Sequence, residues 1–127
     1  MLREIKKRLQ NKHVSKVEIY DSKSRQKQEI PYQKITYIES VHNYLHIHLT
    51  TGMTVKVRGS LQTFAENLDE RFLRINRGII VNMEAVEKMN LDSCEIEGLV
   101  FMLSRRQRAE KRRKYNDYIF KYYMDKR

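Results

Sequence analysis

Two stretches concentrate side chains able to recognise bases and phosphates: Arg74-Ile75-Asn76-Arg77 and Ser104-Arg105-Arg106-Gln107-Arg108. A guanidinium fork pairs bidentately with a guanine edge or with phosphate oxygens, and a carboxamide matches adenine. The first stretch lies within Phe72–Asn82, which otherwise reads as strand. β-branched residues dominate there, and Leu73, Ile75, Ile79 and Val81 fall two or four apart. Gly78 separates the polar part from the apolar run and points to a bulge or a close backbone approach. The expectation is one buried strand whose preceding loop pushes Asn76 and Arg77 outward. A core strand with ordinary surface arginines fits the same pattern.

Other chemistries find less support. His42, His46 and His48 resemble the start of a metal cluster, with two on one strand face, but no further donor is evident. Exposed strand histidines or phosphate contacts are the other reading. Cys94 is the single cysteine, so a disulfide within the chain is impossible and a reducing compartment is expected. Its neighbours Asp92, Glu95 and Glu97 raise a thiol pKa, which argues against a nucleophile. Glu95 and Glu97 have no matching acid–base partner and read as a solvated strand face. No Gly-rich phosphate loop, Cys-x-x-Cys pair or nucleophile elbow occurs, so no enzyme and no cofactor are expected. No apolar run reaches the length of a membrane span, and the basic N-terminus lacks the apolar core of a signal peptide. The chain reads as a bacterial-type cytoplasmic protein without a membrane partner.

Charge favours a polyanion. The 127 residues carry a net charge of +10, unevenly spread. Residues 1–59 hold 12 basic and 5 acidic groups, residues 60–103 hold 4 and 8, and residues 104–127 hold 10 and 3. Positive ends thus flank a mildly acidic middle. The length suits one domain with a modest core.

The elements that must position these groups are short. Leu2, Ile5 and Leu9 space an amphipathic helix within residues 1–13, which reads as a linker from an upstream domain. The remaining residues, 14–127, form the domain. Val14 to Ile19 and Gln28 to Pro31 read as a hairpin across the Asp21–Ser24 turn. Ile35 to Glu39 is a strand, and Ser40 to Asn43 a turn. In Tyr44–Leu49, Leu45, Ile47 and Leu49 alternate with Tyr44, His46 and His48, as in a half-buried antiparallel strand. Met53, Val55 and Val57 give another. Ser60 caps a helix bearing Leu61, Phe64, Ala65 and Leu68 on one face. Met83 to Met89 is of indeterminate type. Cys94 to Ile96 and Leu99 to Leu103 form a last hairpin about Gly98.

The final helix is expected to start at Ser104, with Gln107 completing a capping box. Tyr115, Tyr118, Ile119, Tyr122 and Tyr123 form its apolar stripe. Its first half is crowded with cations, which oppose the helix dipole unless an anion sits nearby. Phosphate binding resolves that conflict; a solvated basic face is the alternative. No helix-turn-helix is evident, so DNA, if bound, must be read by loops or strands.

The order Ile35-x-Tyr37-Ile38-Glu39-Ser40, Asn43-Tyr44, Arg58-x-Ser60-Leu61, Phe72-x-Arg74-Ile75-x-Arg77-Gly78-x-Ile80-Val81-Asn82, Leu103-Ser104-Arg105-Arg106 resembles the LytTR DNA-binding domain. That domain is the output module of the AlgR/AgrA/LytR response regulators of two-component systems. The resemblance runs from about Val14 to about Tyr118. It implies a mainly β, elongated multi-sheet fold of about ten short strands, with one short internal helix and a C-terminal helix. It implies duplex DNA as partner, read by loops in successive major grooves of direct-repeat promoter sites. An upstream receiver domain or a second copy on DNA would be the further partners. The implied base-contacting residues are His42, Asn43, Tyr44, Asn76, Arg77, Arg105 and Arg106. The implied phosphate contacts are Lys56, Arg58, Arg74, Arg108, Lys111 and Arg112. The family often has His where this chain has Asn76 and Ser where it has Gly78, so base preference is expected to differ. An RNA-binding basic β domain is the alternative function; it would need aromatics on an exposed sheet face.

Overall fold

The computed structural model describes residues 15–124, so the linker helix expected within residues 1–13 lies outside the described residues. Ten strands form three antiparallel sheets. β1 (Lys16–Asp21) and β2 (Gln26–Pro31) pair as a hairpin. A five-stranded sheet follows, built from β3 (Ile35–Val41), β4 (Tyr44–Leu49), β5 (Thr54–Arg58), β6 (Phe72–Asn76) and β7 (Ile79–Asn82), in the order β5-β4-β3-β7-β6. Helix α1 (Leu61–Ala65) joins β5 to β6, and Ser60 caps it by accepting from the Thr63 N–H. β8 (Lys88–Met89), β9 (Ser93–Ile96) and β10 (Leu99–Met102) make the third sheet. The described residues end in α2 (Arg108–Ile119), which widens into a π-helical turn at Phe120–Met124.

The five-stranded sheet is buried on both faces near β3 and β7, because side chains alternate across a strand. Ile38 and Ile80 face one core with Val17, Ile19 and Ile30 of the β1–β2 hairpin and Leu61 and Phe64 of α1. Tyr37 and Val81 face the other, with Cys94 and Ile96 of β9, Leu103 and Tyr118 of α2. Buried Asn82 joins the layers. Its Nδ2 donates to Tyr32 O at 3.3 Å and Ile35 O at 2.9 Å, and its Oδ1 accepts from Glu84 N at 2.9 Å.

Two expectations are corrected. Phe72–Asn82 is not one strand but a tight hairpin, with Asn76 paired to Ile79 across Arg77-Gly78 and a bulge at Ile75. The final helix starts at Arg108 rather than Ser104. Gln107 sits in the left-handed region at φ 65° and makes no side-chain cap, while Ser104 Oγ donates to Arg106 O at 2.8 Å. Arg105 and Arg106 therefore lie in a turn ahead of the helix, and Glu110 complements the dipole in its first turn. The Met83–Met89 stretch resolves into a short 3-10 turn at Met83–Ala85 followed by β8.

Candidate nucleic-acid interface

The strand registers bring one end of the five-stranded sheet and the final turn together. Val41 pairs with Tyr44, which leaves His42 and Asn43 as a two-residue hairpin tip. His42 holds φ 57°, an uncommon conformation for a side chain other than glycine, and both tip residues are exposed. Tyr44 pairs with Arg58 on β5, and Gly59 N donates to Asn43 O at 3.1 Å. On the other flank Glu39 pairs with Ile79, and Ser40 N donates to Gly78 O at 2.9 Å. The tips of the β3–β4 and β6–β7 hairpins thus lie side by side.

The turn before α2 joins them. Ser104 N donates to Ile75 O at 2.8 Å, and Asn76 Nδ2 donates to Met102 O at 2.8 Å. Asn76 Oδ1 in turn accepts from Gly78 N at 2.8 Å. The Asn76 amide is fixed at both ends, yet one N–H and one lone pair stay free. Arg77, Arg105 and Arg106 are exposed. Three loops distant in sequence therefore present one continuous edge rich in donors.

A family model described as the LytTr DNA-binding domain matches residues 25–115. The chain belongs to the LytTR DNA-binding domain family. Among solved structures it is similar to the LytTr DNA-binding domain of a protein described as a methyl-accepting/DNA response regulator from Bacillus cereus. That likeness has 21% identity and a TM-score of 0.60, and covers 84% of this chain and 94% of that one. At this identity the likeness speaks to the fold, which is the mainly β one expected. No curated protein matches the chain.

In this LytTR domain all seven residues expected to contact bases share the edge, whereas those expected at phosphates disperse. Arg58 lies at the edge itself. Lys56 lies one exposed step down β5, its Nζ 4.2 Å from the centre of the Tyr44 ring. Arg74 turns toward the β6–β7 tip, where Nη2 donates to Arg77 O at 2.8 Å and Nε to Asn76 O at 3.3 Å. Arg108 Nε donates to Leu103 O at 3.4 Å, and Arg112 Nη1 donates to Leu91 O. Arg108 thus braces the turn before α2, and Arg112 the turn between β8 and β9. Lys111 is half-buried against β6.

Some candidates escaped the sequence reading. Gln107 is exposed beside Arg106, its Ser-x-x-Gln spacing having mimicked a capping box. The β1–β2 turn reaches the same flank, since Ser22 N donates to Lys56 O at 2.9 Å and brings exposed Lys23 and Arg25 near β5. Asp21 anchors that turn by accepting from Lys23 N, which with the neighbouring Ser24 holds its carboxyl below the ordinary carboxylate range. Of the three histidines, His46 and His48 stay neighbours on β4, their ring centres 6.5 Å apart, and His42 is at the tip. His48 Nε2 lies 2.7 Å from Glu39 Oε1 and its ring stacks on Tyr37. No helix among the described residues is long and apolar enough to cross a membrane.

Proposed function

We propose that this domain is the sequence-reading part of a bacterial transcriptional regulator that acts in the cytoplasm on duplex DNA. Residues 14–127 form the DNA-binding unit, with residues 1–13 as a linker from a response-regulator receiver domain. The hairpin tips enter one major groove and the turn before α2 enters the next, on direct-repeat sites bound by two copies. Arg77 and Arg106 take guanine edges through bidentate hydrogen bonds. Asn76, Asn43, His42 and Tyr44 refine the choice, and Arg105 flanks them. Lys56 and Arg58 neutralise phosphates from the β5 side. Arg74 and Arg108 act mainly by holding the reading loops in shape, and Arg112 by bracing the turn between β8 and β9.

The observation that carries this reading is the shared edge formed by three loops, with Asn76 bonded to Met102 O between two of them. Stiff loops suit base reading, because a bidentate contact rewards side chains already aimed. The test is selection from random duplexes, followed by titration of the enriched duplex and its scramble at two salt concentrations. The expected result is a motif bound more tightly than its scramble at the higher salt. Equal binding that collapses with salt would mean phosphate contacts alone. An RNA competitor that displaces the duplex at equal concentration would favour the RNA-binding alternative instead.

A further inference from the structure

A groove of about 480 Å³ runs between the edge strand β6 and helix α2, away from the hairpin tips. Its floor is apolar and aromatic. Met83 and Tyr118 are buried there, while Phe72 and Tyr122 are half-buried and line the walls. Its rim is cationic, from Arg74, Lys111 and Lys114. The acidic groups at the rim are engaged. Glu70 meets Lys121 at 3.9 Å and the Tyr122 hydroxyl, and Asp117 meets Arg113 at 3.7 Å.

Lys111 stands apart. It is half-buried and has no side-chain hydrogen bond or ion pair among the described residues. Burial first, then Lys114 and Arg74 close by, lower its ammonium pKa from the ordinary lysine value, against an opposing pull from the Glu110 carboxylate. A half-buried cation that no carboxylate contacts directly is poorly compensated and favours an incoming anion. The groove volume falls in the range of small-ligand sites, and its apolar floor can bury a ligand body.

We infer that the β6–α2 groove binds a small organic anion with an apolar body, and that its occupation is coupled to the β6–β7 tip through Arg74. Arg74 lines the groove, and its guanidinium donates to the Asn76 and Arg77 carbonyls. An anion forms the stronger, charge-assisted bond, so a ligand draws Arg74 away from those carbonyls and loosens the tip. The coupling rests on the base-reading role proposed for Arg77; binding in the groove does not.

The first experiment needs no DNA. 2-Naphthoate is titrated into the 15N-labelled domain, with 2-naphthalenemethanol as the neutral analogue and sodium phosphate as an anion without a body. Saturable shifts are expected at Leu73, Met83 and Tyr118. The alcohol should bind roughly tenfold more weakly or worse, since it lacks the charged bond, and phosphate should not displace the naphthoate. Lys111→Met should weaken naphthoate by a similar factor, and Lys114→Gln by less. Absence of saturation, shifts centred on Arg105 and Arg106, or displacement by phosphate at equal concentration would each overturn the site.

The second experiment measures duplex affinity with and without saturating naphthoate. A weakening of roughly fivefold is expected, the lower end of usual couplings between sites. Arg74→Lys keeps the charge but loses the fork, so it should abolish the coupling while still binding naphthoate. Unchanged duplex affinity in the unsubstituted domain would overturn the coupling. Failure to select any DNA motif would overturn the base-reading role and leave the first experiment standing.

Discussion

The Asn76 amide donates to the Met102 carbonyl at 2.8 Å, across 26 residues of sequence. This bond ties the β6–β7 tip to the turn that carries Arg105 and Arg106, so each loop helps fix the other. Asn76→Asp keeps an acceptor for Gly78 N but sets a carboxylate against Met102 O and adds negative charge to the edge. Loss of this exposed bond should cost about 1 kcal/mol of stability. Duplex affinity should fall by more than Asn76→Ala causes, because the added charge also repels phosphate. Titration of both variants checks this; equal affinities would mean that the edge does not approach phosphate.

Arg77 is exposed at the β6–β7 tip and supported from behind by Arg74. Arg77→Ala should lose about 1–3 kcal/mol on the selected duplex, the usual worth of a bidentate base contact. Affinity for a scrambled duplex should fall much less. A parallel loss on both duplexes would make Arg77 a phosphate contact.

Arg112 and Lys56 separate structural from electrostatic cations. Arg112 donates to Leu91 O and braces the loop after β8, whereas Lys56 stands exposed over Tyr44. Arg112→Ala should lower stability by about 1 kcal/mol, visible as a drop in Tm, with little change in salt dependence. Lys56→Ala should reduce the slope of log affinity against log salt by about 1 and weaken all sequences alike. An Arg112 variant that changes only the salt slope would reverse the assignment.

Asn82 is the polar residue on which the two cores depend. Asn82→Ala leaves the Tyr32 and Ile35 carbonyls and the Glu84 N–H without this partner, at a site 2% exposed. The expected cost is about 2–4 kcal/mol, because a buried group left unpaired keeps its full desolvation penalty. Chemical denaturation measures it. A loss below 1 kcal/mol would mean that water replaces the amide.

Period-two alternation made β4 and β5 legible, since each buries alternate residues against a core. The Ser60 cap was legible because its hydroxyl acts within one turn of sequence. The β6–β7 hairpin was not. Its link is only Arg77-Gly78, and strand-forming residues continue on both sides, so the two short strands merge into one pattern. The start of α2 was masked by Gln107, whose left-handed backbone no pattern announces. The residues gathered at the three-loop edge could be nominated from side-chain chemistry and a family resemblance. The destinations of Arg74, Arg108 and Arg112 could not, because the carbonyls they seek arrive through tertiary contacts.

The buried Cys94 thiol makes stability depend on alkaline pH. Burial first, and the Glu95 carboxylate second, push its pKa up to about 11 from the ordinary 9.0. Below pH 9 both folded and unfolded chains keep the proton, and the group contributes nothing to the slope. Between about 9 and 11 the unfolded chain has released it while the folded chain has not. The unfolded state then binds fewer protons, so stability falls as pH rises. Tyr118 adds to the fall above pH 10, because burial and its bond to Glu84 hold its hydroxyl protonated. Cys94→Ala removes only the first contribution. Its urea midpoint should start lower at pH 8, from the lost sulfur packing, and then decline less steeply up to pH 11. Parallel profiles for the two proteins would show that the thiol ionises alike in both states.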